Sequence, residues 1–157
     1  MKILFVCTGN SCRSPMAEAY LKKRLEELGR KDVKVASAGF LPSSGRPATP
    51  EAIEVVREEG LDLTGHRSRQ LTQKDIRSAD YIFVMELRHE EFILADFPRA
   101  RDKVYLLKEF RERGNYDISK DPDIPDPITN DKAFYERIFQ VIKESAERVI
   151  GELILKQ

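Results

Sequence analysis

Residues 7–14, CTGNSCRS, have the types and spacing of a phosphate-binding turn. They follow the apolar run 2–6, and Pro15 indicates that a helix begins directly after them. Backbone N–H groups at a helix start lack intrahelical acceptors, and the helix dipole is positive there, so the turn can bind an anion. Gly9 is expected to permit backbone geometry that a Cβ would resist. The planar guanidinium of Arg13 can hold two phosphate oxygens at once.

The chemistry indicated for this turn is dephosphorylation with Cys7 as the nucleophile. The positive field that attracts phosphate also favours a thiolate over a thiol, and Ser14 can donate a hydrogen bond to the sulfur. A thiolate below a phosphorus atom held by amides and Arg13 is placed for in-line attack, which gives a phosphocysteine intermediate. Because the amides and the guanidinium stabilise the equatorial oxygens, we expect neither a metal nor another cofactor.

Two other interpretations of the turn are weaker. Cys7 could be a small buried hydrophobic residue, as many free cysteines are, but its electropositive surroundings indicate a reactive cysteine. A dinucleotide or nucleotide site is not predicted, because the turn contains neither GxGxxG nor GxxxxGK followed by Ser or Thr.

A proton donor for the leaving group is expected in the long polar segment 111–131. Asp126 lies between two prolines that stiffen its backbone, and a carboxyl held over the pocket can act as general acid and then as general base. Asp121 and Asp123 stay open as alternatives, and Asp-Pro is also an ordinary turn pair. A segment of this length is either functional or a surface connection.

Strands and helices that alternate along the chain must position these residues. The alternation predicts an α/β fold with a parallel sheet and right-handed crossovers, in which ligands bind outside the carboxyl ends of the strands. Apolar runs predict strands at 2–6, 33–38, 81–85 and 103–107, and helical patterns begin after Ser14, at Thr49, at Thr72, at His89 and after Asn130.

The length indicates that residues 1–157 form a single domain, here expected to be a phosphatase domain, and the 41% of hydrophobic residues suffices for its core. Lys plus Arg and Asp plus Glu number 27 each, so the zero net charge gives no overall attraction to nucleic acid or an anionic membrane. No signal peptide or membrane-spanning run is visible. Two cysteines make no disulfide scaffold, which favours a cytoplasmic location.

The chain resembles the low-molecular-weight protein tyrosine phosphatases over nearly its whole length. The resemblance implies a three-layer fold, with a four-stranded parallel sheet between helices and the phosphate loop after strand 1. It implies that Cys7 is the nucleophile, Arg13 the phosphate binder and Asp126 the general acid, acting on phosphorylated proteins as a monomer or weak dimer. The matching motifs are VCTGNSCRSPMAEA at 6–19, SAG at 37–39, GLDLTGHRSRQLT at 60–72, SADYIFVM at 78–85 and DP at 126–127.

The resemblance also implies supporting roles for neighbouring residues. Asn10 is expected in a left-handed backbone conformation, which Asn tolerates well, and His66 is expected to be structural rather than catalytic. Cys12 either forms a reversible disulfide with Cys7, as in relatives with this pair, or is a small core side chain. The predicted substrate contacts are Thr8, Gly9, Asn10, Ser11, Cys12, Ser14 and Ile128, and the predicted supporting network comprises Asn10, Ser14, Ser37 and His66.

Two substrates stay open, with phosphotyrosine first and phosphoarginine second. Ile128 stands where tyrosine-specific members carry an aromatic residue, so Phe40, Leu41 and Ile128 are the expected walls for a phosphotyrosine ring. Ser11 resembles the Thr that protein-arginine phosphatases of this family carry. Phosphoserine is disfavoured because its side chain is short. Arsenate reduction would need further cysteines, and a non-catalytic phosphoprotein-binding module would lack the nucleophile or the acid.

Overall fold

A four-stranded parallel sheet, in the order β2-β1-β3-β4, forms the centre of the protein. The computed structural model describes residues 1–111 and 121–156; residues 112–120, within the predicted polar segment, and residue 157 lie outside the described part. The strands are β1 (Lys2–Cys7), β2 (Lys34–Gly39), β3 (Tyr81–Val84) and β4 (Val104–Leu106).

In the described part of the chain, five α-helices and one 3₁₀ helix connect and cover the strands. Short polar side chains start three of them, because their oxygens accept from backbone N–H groups that have no intrahelical partner. Thr49 accepts from Ala52, Asp131 accepts from Phe134, and Thr72 forms a reciprocal capping box with Asp75. The helices are α1 (Arg13–Glu27), α2 (Pro50–Glu58), α3 (Gln73–Ser78), α4 (Leu87–Asp96), the 3₁₀ helix Pro98–Lys103 and α5 (Lys132–Leu153).

The two faces of the sheet are buried against different helices. Side chains alternate along a strand, so Ile3 and Phe5 of β1 pack with α1, α2 and α5, whereas Leu4 and Val6 pack with α3, α4 and the 3₁₀ helix. Each strand is therefore apolar on both faces, as the sequence runs indicate. The predicted three-layer α/β fold is confirmed, and the turn after β1 opens at the carboxyl edge of the sheet.

Helix α4 begins two residues before the predicted start at His89. Its first N–H group, that of Leu87, donates to the carboxylate of Asp123 over 2.7 Å. A cap supplied by a residue so distant in sequence leaves no local signal, which explains the difference. Among the described residues, no helix is both long and apolar enough to cross a membrane.

Replacing Asp131 by Ala tests how the last helix begins. Asp131 Oδ1 accepts from Phe134 N over 3.0 Å at the start of α5, and loss of such a cap costs about 1 kcal/mol. We expect Asp131→Ala to lower the free energy of unfolding by about that amount in urea titrations, whereas Asp131→Ser keeps an acceptor and most of the stability. Equal stability of Asp131→Ala and wild type would contradict the capping role.

Candidate active site

Carbonyl groups of the turn between β1 and α1 form hydrogen bonds with groups outside the pocket that the turn encloses. Five of its carbonyl oxygens accept hydrogen bonds from groups outside the turn or from the first turn of α1. These bonds run from Phe40 N to Cys7 O (3.2 Å), Leu41 N to Thr8 O (3.0 Å), His66 Nε2 to Asn10 O (2.7 Å), Thr49 N to Ser11 O (3.0 Å) and Met16 N to Cys12 O (3.1 Å).

The amide groups of the same turn are left without acceptors. Within residues 1–111 and 121–156, no hydrogen bond joins the N–H groups of Thr8 to Cys12 to another protein group. The N-cap residue of α1, Cys12, likewise provides no side-chain cap. A run of free N–H groups at a helix start is a binding site for an anion. An oxyanion is therefore the ligand that this turn suits.

Asn10 fixes the shape of the turn, and its hydrogen bonds orient the hydroxyl of Ser14 toward Cys7. Its φ is 51°, so the expected left-handed conformation is confirmed. Asn10 Nδ2 donates over 2.9 Å to both Ser14 Oγ and Ser37 Oγ, and Ser37 donates onward to Glu18 over 2.5 Å. Because Ser14 Oγ accepts from Asn10, its own proton is left for Cys7 Sγ, 3.0 Å away.

Gly39, at the end of β2, allows the turn to approach the neighbouring strand. A Cβ at Gly39 would lie 2.7 Å from Thr8 O and 2.9 Å from Asn10 N, too close for any side chain. The expectation that Gly9 supplies unusual backbone geometry is wrong, because its φ is not in the left-handed region. A Cβ on Gly9 would meet only the flexible Ser11 side chain, at 3.3 Å. The glycine that the turn requires is therefore on β2.

Arg13 is buried beneath the turn with part of its guanidinium unbonded. Its side chain is 1% exposed. Nη1 donates to a carboxylate oxygen of Glu86 and to the carbonyl of Ile124, the latter over 2.7 Å, and Nη2 lies 3.2 Å from Asp126 Oδ2. Nε is buried and has no hydrogen-bond partner within the part of the chain that the structure describes. The edge formed by Nε and Nη2 is thus the part of the fork that can hold an oxyanion.

The carboxylate of Glu86, which lies shortly after β3, pairs with two arginines. It accepts from Arg13 and also from Arg88, whose Nε lies 2.6 Å from Glu86 Oε2. Burial alone would raise the pKa of Glu86, but the hydrogen bonds from Arg88 and Arg13 outweigh burial and hold that pKa below its ordinary value. Glu86 is therefore ionised at neutral pH, and it fixes the orientation of the Arg13 guanidinium.

These residues surround a cavity of about 590 Å³ above Cys7. Among the described residues, no three His, Cys, Asp or Glu side chains are grouped so that they could hold a metal ion. The lining comprises Cys7, Thr8, Gly9, Ser11, Cys12, Arg13, Leu41, Ser43, Arg46, Pro47, Thr49, Ser68, Asp126 and Ile128.

The outer wall of the cavity is aliphatic. Leu41 and Ile128 are 78% and 52% exposed at its mouth. The expectation that Phe40 forms part of this wall is wrong: its ring stacks on the buried His89, with centroids 5.3 Å apart, and also contacts Phe92. The described lining accordingly contains no aromatic side chain.

The three candidate aspartates have different surroundings. Asp121 accepts from the N–H of Asp123 over 2.9 Å, and Asp123 caps α4 through Leu87. Only Asp126 of the three lines the cavity, where its Oδ1 also accepts from Ile128 N over 3.2 Å. This arrangement favours Asp126 as the proton donor.

Both cysteines are free thiols. Cys12 Sγ lies 3.4 Å from the hydroxyl of Tyr135 on α5 and 3.5 Å from Thr49 Oγ1. Burial raises the pKa of the Cys12 thiol, although these hydroxyls partly oppose the effect. Cys12 is therefore a protonated, packed side chain.

Four residues of the site were not identified from the sequence: Glu18, Glu86, Arg88 and His89. The last three belong to the segment MELRHE, which follows the apolar run of β3. The rule that ligands bind at the carboxyl ends of parallel strands applies to β3 as it does to β1, so this signal was present in the sequence. Glu18 lies inside a helical pattern and carries no comparable signal.

Comparison with known proteins identifies the family. The sequence profile described as "Low molecular weight phosphotyrosine protein phosphatase" matches residues 2–157. A protein-arginine-phosphatase of Bacillus subtilis is 38% identical over 153 residues, covering 98% of this chain and 97% of that protein. The low molecular weight protein-tyrosine-phosphatase Wzb of Escherichia coli is 37% identical over 146 residues, covering 93% and 90%.

A solved structure agrees with these sequence matches. The YwlE arginine phosphatase from Geobacillus stearothermophilus has a TM-score of 0.86 and 35% identity, covering 99% of this chain and 94% of that chain. The fold, the turn after β1 and the whole-chain sequence match lead to the same conclusion: this chain belongs to the low molecular weight phosphotyrosine protein phosphatase family.

Proposed function

We propose that this protein hydrolyses phosphotyrosine in proteins without a metal, through a phosphocysteine intermediate. The observation that carries the proposal is the set of free donors around Cys7: within residues 1–111 and 121–156, the amides of Thr8 to Cys12 and Nε of Arg13 have no hydrogen-bond acceptor. Burial of such donors is costly unless a ligand satisfies them, and a phosphoryl group has the charge and the number of oxygens to do so.

In the first half of the proposed reaction, Cys7 Sγ attacks phosphorus while the bond from phosphorus to the tyrosine oxygen breaks. The turn amides and the Nε–Nη2 edge of Arg13 stabilise the equatorial oxygens. Asp126, which enters the cycle with a protonated carboxyl, moves from Arg13 to the leaving oxygen and gives that oxygen its proton. Ser14 donates to the sulfur throughout, which keeps Cys7 a better leaving group in the second half.

In the second half, water attacks phosphorus and the bond from phosphorus to sulfur breaks. Asp126, now a carboxylate, takes the proton of the attacking water. Inorganic phosphate leaves and Cys7 returns to its thiolate form. The side chains of Asn10 and Ser37 and the imidazole of His66 support this cycle, since their hydrogen bonds hold the turn and orient Ser14.

Phosphoarginine is the second candidate substrate, and three observations favour it. The hydroxyl of Ser11 lines the cavity, the described lining contains no aromatic wall for a tyrosine ring, and relatives of similar identity are named protein-arginine-phosphatase. The same machinery would serve, with Asp126 giving its proton to the leaving guanidinium nitrogen.

We further propose that residues 1–157 act as a single phosphatase domain in the cytoplasm, as a monomer or weak dimer. Free thiols suit a reducing compartment. The zero net charge argues against nucleic acid or an anionic membrane as a partner. The partner proposed is a phosphorylated protein, and no cofactor enters the reaction.

Replacing Cys7 by Ala tests the covalent intermediate. We expect turnover to fall by more than about 10⁴-fold, while orthophosphate still binds because the amides and Arg13 remain. Rapid acid quench followed by mass spectrometry should detect a phosphorylated Cys7 peptide in wild type and none in the variant. Substantial residual turnover in Cys7→Ala, measured with unchanged folding by circular dichroism, would refute the mechanism.

Replacing Asp126 by Asn tests the general acid. We expect kcat to fall about 10²–10⁴-fold for phenyl phosphate, whose leaving group needs a proton, and far less for dinitrophenyl phosphate, whose leaving group does not. Asp123→Asn is the matched control, because Asn can still cap α4 and the dependence on leaving group should stay as in wild type. A uniform loss across both substrates in Asp126→Asn would exclude the acid role.

The substrate is decided by comparing kcat/KM on phosphotyrosine and phosphoarginine peptides, first with wild type and then with Ser11→Ile. If phosphotyrosine is the substrate, wild type should prefer it, and the preference should survive the substitution. A preference for phosphoarginine that Ser11→Ile abolishes, and that Ser11→Thr retains, would replace phosphotyrosine by the second candidate.

A further inference from the structure

We infer that His89 is a positioning residue for the phosphate-binding turn, donating a hydrogen bond from Nε2 to the hydroxyl of Thr8. The inference rests on the proposed function, because it assigns a residue on α4 to the same site. Thr8 directly follows the nucleophile, so a group that fixes Thr8 also fixes the first free amide of the turn.

His89 is held rigidly at this position. It lies in the first turn of α4 and is 2% exposed, with Nε2 2.9 Å from Thr8 Oγ1. Its ring stacks on Phe40 at an interplanar angle of 21°. The backbone N–H of Phe40 donates in turn to Cys7 O. The imidazole therefore contacts Thr8, which lies in the turn, and Phe40, whose N–H group binds the carbonyl at the start of the turn.

The surroundings of His89 place its proton on Nε2. Nδ1 is buried and has no hydrogen-bond partner among the described residues, and an orphaned N–H group is rarer in proteins than an under-used acceptor. A carboxylate oxygen of Glu86 lies 3.8 Å from Nε2, which favours a proton on that nitrogen. Nε2 is thus the donor and Thr8 Oγ1 the acceptor.

His89 acts through this hydrogen bond rather than through charge. Burial lowers its pKa to about 4, with Arg13 and Arg88 acting in the same direction and Glu86 and Asp126 opposing them. The ring is therefore neutral at pH 7, so it adds no positive charge beside the two arginines.

Thr8 consequently receives two hydrogen bonds from α4. Arg88 Nη2 donates to Thr8 Oγ1 over 3.3 Å, in addition to His89. Both bonds use lone pairs of the same oxygen. The N–H group of Leu41 donates to the Thr8 carbonyl. The Thr8 peptide is thereby fixed, with its N–H group available to an oxyanion. Loss of the His89 donor should weaken oxyanion binding and transition-state stabilisation together.

The test compares His89→Leu, His89→Gln, Thr8→Val and the double variant His89→Leu/Thr8→Val. Kinetics on an aryl phosphate give kcat and KM separately, and orthovanadate inhibition reports oxyanion binding. We expect His89→Leu to lower kcat about tenfold and to weaken vanadate inhibition. His89→Gln, which restores an N–H donor, should recover most of both. The double variant should be no worse than Thr8→Val alone, because Thr8→Val already removes the bond that His89→Leu removes.

Phe92→Leu, on the exposed part of the same helix, is the matched control and should retain wild-type kinetics. Full activity of His89→Leu, equal loss in His89→Gln and His89→Leu, or multiplying losses in the double variant would each overturn the inference. Should His89→Leu fail to fold, nitrogen-15 NMR of wild type decides: a neutral ring protonated on Nε2 supports the inference, and protonation on Nδ1 overturns it. Absence of turnover in wild type would instead refute the proposed function.

Discussion

The site depends on the direction in which the peptide groups of one turn are bonded. Four carbonyls of this turn, those of Cys7, Thr8, Asn10 and Ser11, accept hydrogen bonds from Phe40, Leu41, His66 and Thr49, while the N–H groups of Thr8 to Cys12 remain for a ligand. Two local features make this possible: Asn10 adopts a left-handed conformation, and Gly39 leaves room for the backbone to pass. The donors are therefore fixed before an oxyanion arrives, and fixed donors need little reorganisation during reaction.

The electrostatic part of the site follows from burying Arg13. A buried guanidinium needs a partner, and removal of one member of a buried ion pair typically costs about 3–5 kcal/mol. Glu86 provides that partner and also binds Arg88, which in turn bonds to Thr8. The same cluster thus neutralises the arginine, orients its free edge and connects the turn to α4. His89 belongs to this connection, and its burial keeps it neutral.

Local sequence signals predicted the elements that depend on local physics. Apolar runs gave the four strands, Thr49 and Thr72 gave helix starts, and the turn after β1 was recognised from its residue types and spacing. Predictions failed where a distant group decides the outcome. Helix α4 begins early because Asp123 caps it, and Phe40 faces His89 instead of the cavity because α4 packs against it. The sequence indicated Gly9 as the glycine that the backbone of the turn requires, but that glycine is Gly39.

The sequence by itself determined the chemistry available to this protein: a cysteine, an arginine and a serine at a helix start, and an aspartate between prolines. Those are consequences of residue type and of spacing within one turn. The tertiary structure decided which donors stay free, which of three aspartates reaches the cavity, and which residues of α4 hold the turn. These choices depend on segments far apart in sequence, and only packing of the sheet and helices brings them within hydrogen-bonding distance.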